Sequence, residues 1–532
     1  MEEPSVLITT SGLGSRLGDL TDYTNKSLVR VGDKPALSYI VESYPSSTKF
    51  FITLGHYGNQ VREFLQLSYP NIHFTFIEVK NYKGPKSSLL HSMRSAKDQL
   101  QCPFIFHVCD SIIFDNAPPL AENWISGAES ESSDQYRTIN MSAGCTLLKI
   151  NDKGEMKYDL AYPGRAGIKD YDVFWKRLDE IIDTAEENKV KNLSDCHVIQ
   201  TMLDSDGIEF KIDKISNWHD IGEPYSLARA RDKIKSSIQV LDKVQENIYI
   251  IDKSVIKFFH NSDHVIKRVK RAEFLKGLIP EIAAYSNNFF KYGYVDGNLF
   301  ADAVTPVKMK LFLDWALKNM WDKKSSENIS SHCFDFYFEK TKKRVSQFLN
   351  GSPDHASIIN GEEIPPVSEM LSKIDSSWLC DGVASVFHGD LILDNIIELE
   401  DGFSLIDWRQ DFAGRIDLGD TYYDLAKLNH NLIFNHELVN QNHYMLRQEK
   451  EGVYCDILCR KNLIDCREVL HCFIEENGYD IEKVNMLTAI IWINMSPLHD
   501  YPLDRFLFNF GKYNLFLSIK KSARGDRKCQ KI

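Results

Sequence analysis

At 532 residues, 43% hydrophobic and 26% charged, the chain is too long for one core and too apolar for extended disorder. A net charge of −12 with no long basic tract excludes a general nucleic-acid binder, and the lysine-rich tail from Lys520 to Lys531 reads as a solvated end. No apolar stretch approaches the roughly 18 residues of a membrane span. Val6 to Ile8 is too short for a signal peptide, and eleven cysteines without small-scaffold spacing predict reduced thiols in a cytoplasmic protein.

From residue 4 to about 225, short apolar runs alternate with helical spacing, which predicts a parallel sheet covered by helices. SVLITT, KFFITLG, HFTFIEV and FIFHVCD read as strands, and ALSYIVESY and NQVREFLQLS as helices. A charged helix from Ala228 to Gln245 is the predicted connection. NIYIIDKSVIKFFHN then reads as a hairpin turning at Asp252-Lys253, followed by a basic amphipathic helix over 263–278 and the strand and connector FFKYGYVDGNLF. Beyond Val304 the chain reads as helical, apart from a hairpin within 388–408. The predicted domains are 1–235, a small lobe over 236–300 and a helical large lobe over 301–532.

The first candidate site is SVLITTSGLGSRLGDLT, a strand running into a glycine loop. Gly12 and Gly14 let the backbone N–H groups approach phosphates, and Arg16 offers forked donors to their charge. With Thr21, Lys26, Lys34 and Pro35, the loop resembles the sugar-phosphate and phosphocholine nucleotidyltransferases, a Rossmann-like, glycosyltransferase-A-like family. The chain departs from that pattern at Asn25, where proline is usual, and at Thr9, Thr10 and Ser11, where small alanines are common. The resemblance implies Mg²⁺ held by Asp110, in HVCDSIIF, and Asp220, in NWHDIGEP. It also implies charge stabilisation by Arg16 and Lys26, and nucleobase contact near Gly84, Ser87 and Ser88. The match is best with the cytidylyltransferase branch, which implies CTP or another nucleoside triphosphate.

The second candidate site is HGDLILDNIIELEDGFSLIDW, from His388 to Trp408. Phosphoryl transfer needs a carboxylate facing the acceptor hydroxyl, here Asp390, and an amide and a carboxylate for Mg²⁺, here Asn395 and Asp407. The hairpin IIEL–FSLID brings the last two toward one place. The segment resembles the aminoglycoside phosphotransferase and choline kinase family, which implies a two-lobed protein-kinase-like fold and ATP. Asp420 and Asp424 then support the catalytic loop, while Arg409 and Gln410 replace the acid that often follows IDW. The resemblance further assigns Lys257 to the α- and β-phosphates and Glu273, on the next helix, to that lysine. Trp315, Trp321, Trp378, Tyr422 and Tyr423 read as core residues, with an acceptor cage as the alternative.

Together these readings predict an α/β chain carrying two active sites. One phosphorylates a small alcohol, sugar or amino alcohol with ATP. The other couples the phosphate to CMP from CTP, making a precursor for surface polysaccharide or lipid decoration. Two alternatives stay open: an antibiotic-type phosphotransferase fused to an unrelated sugar-1-phosphate nucleotidyltransferase, and a nucleotide-sensing pseudoenzyme scaffold. The expected partners are small molecules and nucleotides, with no nucleic acid and no membrane insertion; the oligomeric state is left open.

Overall fold

The computed structural model describes residues 4–84, 87–130, 133–188, 193–236, 244–322, 325–355 and 357–523. Parts of two predicted segments, 237–243 of the connection and 524–531 of the lysine-rich tail, lie outside these residues. The chain divides into two compact units, the first comprising 1–265 and 283–294, the second 266–282 and 295–532.

The first unit is built on a ten-stranded sheet. Its parallel half consists of β1 (Ser5–Thr9), β2 (Lys49–Leu54), β3 (His73–Glu78) and β4 (Phe104–Val108), in the order β3-β2-β1-β4. Every residue of β1 is buried, as a strand covered on both faces requires, and this explains its unbroken apolar run. Helices α1 (Ala36–Glu42) and α2 (Gly58–Ser68) turn Leu37, Ile40 and Val41, and Val61, Phe64 and Leu65, into one core with Val6 and Ile8.

After β4 the topology changes. The strand β5 (Ser111–Ile113) leaves the sheet, and β6 (Trp124–Ala128) rejoins it through β10 (Arg165–Ile168), which runs antiparallel to both β4 and β6. The short strands β7 (Thr138–Met141), β8 (Leu147–Asn151) and β9 (Leu160–Ala161) extend that edge, and β11 (Lys211–Ile215) pairs with β6 in parallel. The sheet is therefore parallel-rich and mixed, where the sequence pattern predicted a parallel one. The antiparallel strands are two to five residues long and escape periodicity.

The predicted hairpin forms as β13 (Glu246–Ile251) and β14 (Ser254–Phe259) after the short β12 (Trp218–Asp220), with Asp252 and Lys253 both at positive φ in the turn. With β15 (Phe289–Gly293) it packs on α2, where the Phe64 ring lies 5.4 Å from Tyr249 and 5.9 Å from Phe289. Tyr249 also donates to the Leu28 carbonyl at 2.7 Å. The connecting helix is shorter than predicted: it spans Pro224–Lys233 and ends at Ile234, whose extended backbone stops it.

In the second unit, Thr421–Ile433 forms a central helix buried along its length, packed by Lys461–Glu476 and Ile481–Met495, the latter covered in turn by Leu503–Ala523. Ile396–Leu399 and Gly402–Leu405 form the predicted antiparallel hairpin. A four-stranded sheet of Ser357–Ile359, Glu362–Ile364, Tyr444–Glu449 and Gly452–Ile457 interrupts the region read as helical. The basic helix spans Ser262–Ala272 and stops short of the predicted 278, because tight turns such as Phe274 N–H to Arg271 O replace the helical bonds. Among the described residues no helix is long and apolar enough to cross a membrane.

Candidate functional sites

In the first unit β1 and β4 are parallel neighbours, so the loops leaving their C-terminal ends lie side by side. One loop carries Gly12, Gly14 and Arg16; the other carries Asp110. Gly14 takes φ +69, and a Cβ there would lie 2.9 Å from Lys26 Cβ, so only glycine fits. Thr21 closes the loop by donating to the Gly14 and Gly18 carbonyls at 3.2 and 3.1 Å.

The strand β12 pairs with β5 so that Asp220 faces Ser111, next to Asp110. A Cβ on Gly222 would sit 3.3 Å from Arg16 Nη2, 3.3 Å from Asp220 Oδ1 and 3.4 Å from Asp110 Oδ2. Arg16, Asp110 and Asp220 thus converge on one point. Lys26 Nζ donates to Asp110 Oδ2 at 2.9 Å. Burial acts to raise the Asp110 pKa, but the Lys26 ammonium and its hydrogen bond leave it below the usual range. Burial, then the Asp110 charge, push Asp220 up to about 6.

Gly84 is exposed at φ +93, while Ser88 accepts from the His91 N–H at the start of Leu89–Arg94. Ser92 of that helix is bonded to Ser11 at 2.7 Å, tying it to the glycine loop. Two contributions were not foreseen. Glu223 holds Arg16 at 2.9 Å, and Asn25 fills its proline position with four hydrogen bonds. Its amide donates to the Thr10 and His56 carbonyls and accepts from the Ser27 N–H and hydroxyl.

In the second unit the 388–408 segment forms a loop braced from three sides. The buried Asp424 carboxylate accepts the His388 and Gly389 N–H groups, both at 2.7 Å. Burial raises its pKa to about 6. The His388 ring takes the Asp390 N–H on Nδ1 and donates from Nε2 to the Ile406 carbonyl at 3.0 Å. Burial pulls its pKa down to about 4, which keeps it in that neutral form. Asn395 donates to the Asp390 carbonyl at 2.8 Å, and the Ile406 N–H donates to the Asn395 carbonyl at 2.9 Å. Asp390, Asn395 and Asp407 are thereby gathered around one imidazole.

Both carboxylates have basic partners absent from the sequence reading. Asp390 pairs with Lys427 at 2.7 Å and Asp407 with Arg268 at 2.7 Å. Arg271 donates to the carbonyls of Phe387 and Arg409. The basic helix therefore supports the loop through arginines. Glu273, read as a helix residue, is exposed in the turn past its end, a correction that follows from the early stop at Ala272. Lys257 is buried in β14 of the first unit. Asp420 accepts from Tyr337 Oη at 2.7 Å and from the Val383 N–H at 2.9 Å. Trp321, Tyr422 and Tyr423 are buried, and Lys483 lies 4.3 Å from the Tyr422 ring centre.

The donor set of Asp110 and Asp220 fits magnesium: the two converging carboxylates offer hard oxygen ligands to a cation that keeps water and phosphate in its remaining positions. Asn395 and Asp407 are oxygen ligands by type, but the Asn395 amide donates to Asp390 and the Asp407 carboxylate is held by Arg268. Among the described residues no group of three or more His, Cys, Asp or Glu side chains forms a complete protein cage.

The parallel-rich sheet thus presents a glycine loop and paired carboxylates at adjacent strand ends. About 44% of the chain, its N-terminal part, is similar to nucleotidyltransferases. It is 26% identical over 243 residues to the low-salt glycan biosynthesis nucleotidyltransferase Agl11 of Haloferax volcanii, covering 43% of this chain and 65% of that protein, under two thirds of its length. Solved structures similar to it include CTP:phosphocholine cytidylyltransferase from Streptococcus pneumoniae, at 18% identity and TM-score 0.38 over 44% of this chain and all of that one. The inositol-1-phosphate CTP transferase from T. maritima is similar at 16% identity and TM-score 0.34, over 45% of this chain and 98% of that one. No protein-family model matches the chain.

Proposed function

We propose that the chain is a bifunctional transferase. Its second unit phosphorylates a small alcohol, sugar or amino alcohol with ATP. Its first unit transfers a nucleotidyl group, CMP from CTP, to the phosphate ester so formed and releases pyrophosphate, yielding an activated precursor for glycan or lipid decoration. The observation that carries this reading is the convergence of Arg16, Asp110 and Asp220 on one point beside the glycine loop.

In the kinase step the acceptor oxygen attacks the γ-phosphorus, the bond to the β-phosphate oxygen breaks, and the hydroxyl proton passes to Asp390. Asp390, paired with Lys427 at 2.7 Å, orients the hydroxyl and takes the proton late. In the nucleotidyl step a phosphate-ester oxygen attacks the α-phosphorus and the bond to the β-phosphate oxygen breaks. Arg16 and Lys26 stabilise the charge that accumulates. Gly84 and Ser88 flank the nucleobase. Asp110 with Asp220, and Asn395 with Asp407, would hold Mg²⁺, which would supply charge neutralisation on the phosphates. The test is to incubate the chain with ATP, CTP and a library of alcohols and to weigh the products. ADP, pyrophosphate and a CDP-linked alcohol are expected. A mixture that yields pyrophosphate without ADP, or neither, contradicts the bifunctional reading.

A further inference from the structure

Beside the 388–408 loop lies a cavity of about 310 Å³ lined by Asp335, Phe336, Lys340, Arg409, Asp411 and Ala413. Its two basic side chains, Lys340 and Arg409, are only partly met by its carboxylates. Asp411 is taken up by Lys267 at 2.9 Å and by the Gly414 N–H. Asp335 is exposed. Lys340 Nζ and the Arg409 guanidinium approach the same Phe336 ring, 3.8 and 4.8 Å from its centre. Arg344 follows one turn after Lys340 on the helix Lys340–Leu349, and Arg409 Nε is buried with no hydrogen-bond partner in the protein. Burial, and then the charges of Arg409, Arg344 and Lys427, hold the Lys340 pKa well below the usual lysine range. Asp390 and Asp411 offset part of this charge, and a bound anion would offset the rest.

The position matters as much as the charge. The Arg409 N–H donates to the His388 carbonyl at 3.1 Å, and a Cβ on Gly389 would lie 2.7 Å from Arg409 Cβ, so the base of the Arg409 side chain is fixed against the residue next to Asp390. We infer that the Lys340–Arg409 cavity binds an anionic group, a carboxylate or phosphate, on the alcohol that Asp390 presents for phosphorylation. This deepens the kinase reading and rests on it. A cationic acceptor such as a quaternary amine or an aminoglycoside would meet repulsion here.

The test is calorimetric titration of the full chain, saturated with CTP and Mg·ADP, with inorganic phosphate, glycolate and choline. Phosphate, glycolate or both are expected to bind, and which of them binds tells phosphate from carboxylate recognition. The Lys340→Gln/Arg409→Gln double variant should weaken anion affinity at least tenfold, and Arg409→Lys, which keeps the charge, should retain most of it. Anion affinity unchanged in the double variant, no anion binding by the natural chain, or preferential binding of choline would overturn the assignment. ATP turnover across alcohols is read separately. Anion binding intact with no ADP formed from any alcohol would sink the kinase reading and leave the anion site standing.

Discussion

Asn25 illustrates how one side chain can replace a motif residue. Proline would rigidify the turn after the glycine loop. Here four hydrogen bonds fasten the ends of β1 and β2 to the Ser27 turn instead. Asn25→Ala strands the buried Thr10 carbonyl and the half-buried His56 carbonyl, and a loss of about 3 kcal/mol in urea unfolding is expected, whereas a loss below about 1 kcal/mol would contradict this role. Gly389 is constrained for a different reason, since φ +85 and the 2.7 Å approach to Arg409 leave no room for a side chain. Gly389→Ala should displace the Asp390 loop and lower phosphoryl transfer by about 100-fold, while nucleotidyl transfer to a supplied phosphate ester is kept. The glycines and carboxylates of both candidate sites could be picked out because the chemistry proposed for them fixes residue type and short spacing. Their charge partners were not: Arg16–Glu223 and Arg268–Asp407 join residues 207 and 139 positions apart, and no local pattern encodes such pairs.

At the scale of elements, β13, β14 and β15 pack their aromatics on α2 inside the first unit, though sequence reading groups them with a following lobe. A fragment ending at residue 236 would uncover Phe64 and the core around it. It should unfold at lower urea than the full chain and bind a hydrophobic dye; equal stability without dye binding would refute this packing role. The strand β4 carries a pH dependence. His107 is buried between Tyr44 Oη at 2.9 Å and the Ser111 carbonyl at 3.0 Å. Burial, and then Arg165, pull its pKa down to about 3. Folding therefore favours the neutral ring. Its contribution is whole above the unfolded value near 6.5 and is lost as pH falls from there toward about 3, by about 1.4 kcal/mol per pH unit. His107→Asn should make the acid decline of the urea midpoint shallower between pH 6.5 and 4, and an unchanged slope would contradict this. The long parallel strands were readable from unbroken apolar runs. The antiparallel edge and the sheet Ser357–Ile359 to Gly452–Ile457 were not, because short, half-exposed strands carry little periodicity.

For the whole molecule the central proposal is that one chain holds two chemically independent phosphate sites, whose candidate carboxylates fall in different units. The first gathers Arg16, Lys26, Asp110 and Asp220; the second gathers Asp390, Asn395 and Asp407 about His388. The most direct test pairs two conservative substitutions, Asp110→Asn and Asp390→Asn, and follows ADP and pyrophosphate release in the same reaction. Asp390→Asn is predicted to abolish ADP formation while pyrophosphate is still released when the phosphate ester is supplied. Asp110→Asn should abolish pyrophosphate release and leave ADP formation intact. Loss of both products in either variant, or of neither in both, would contradict the account.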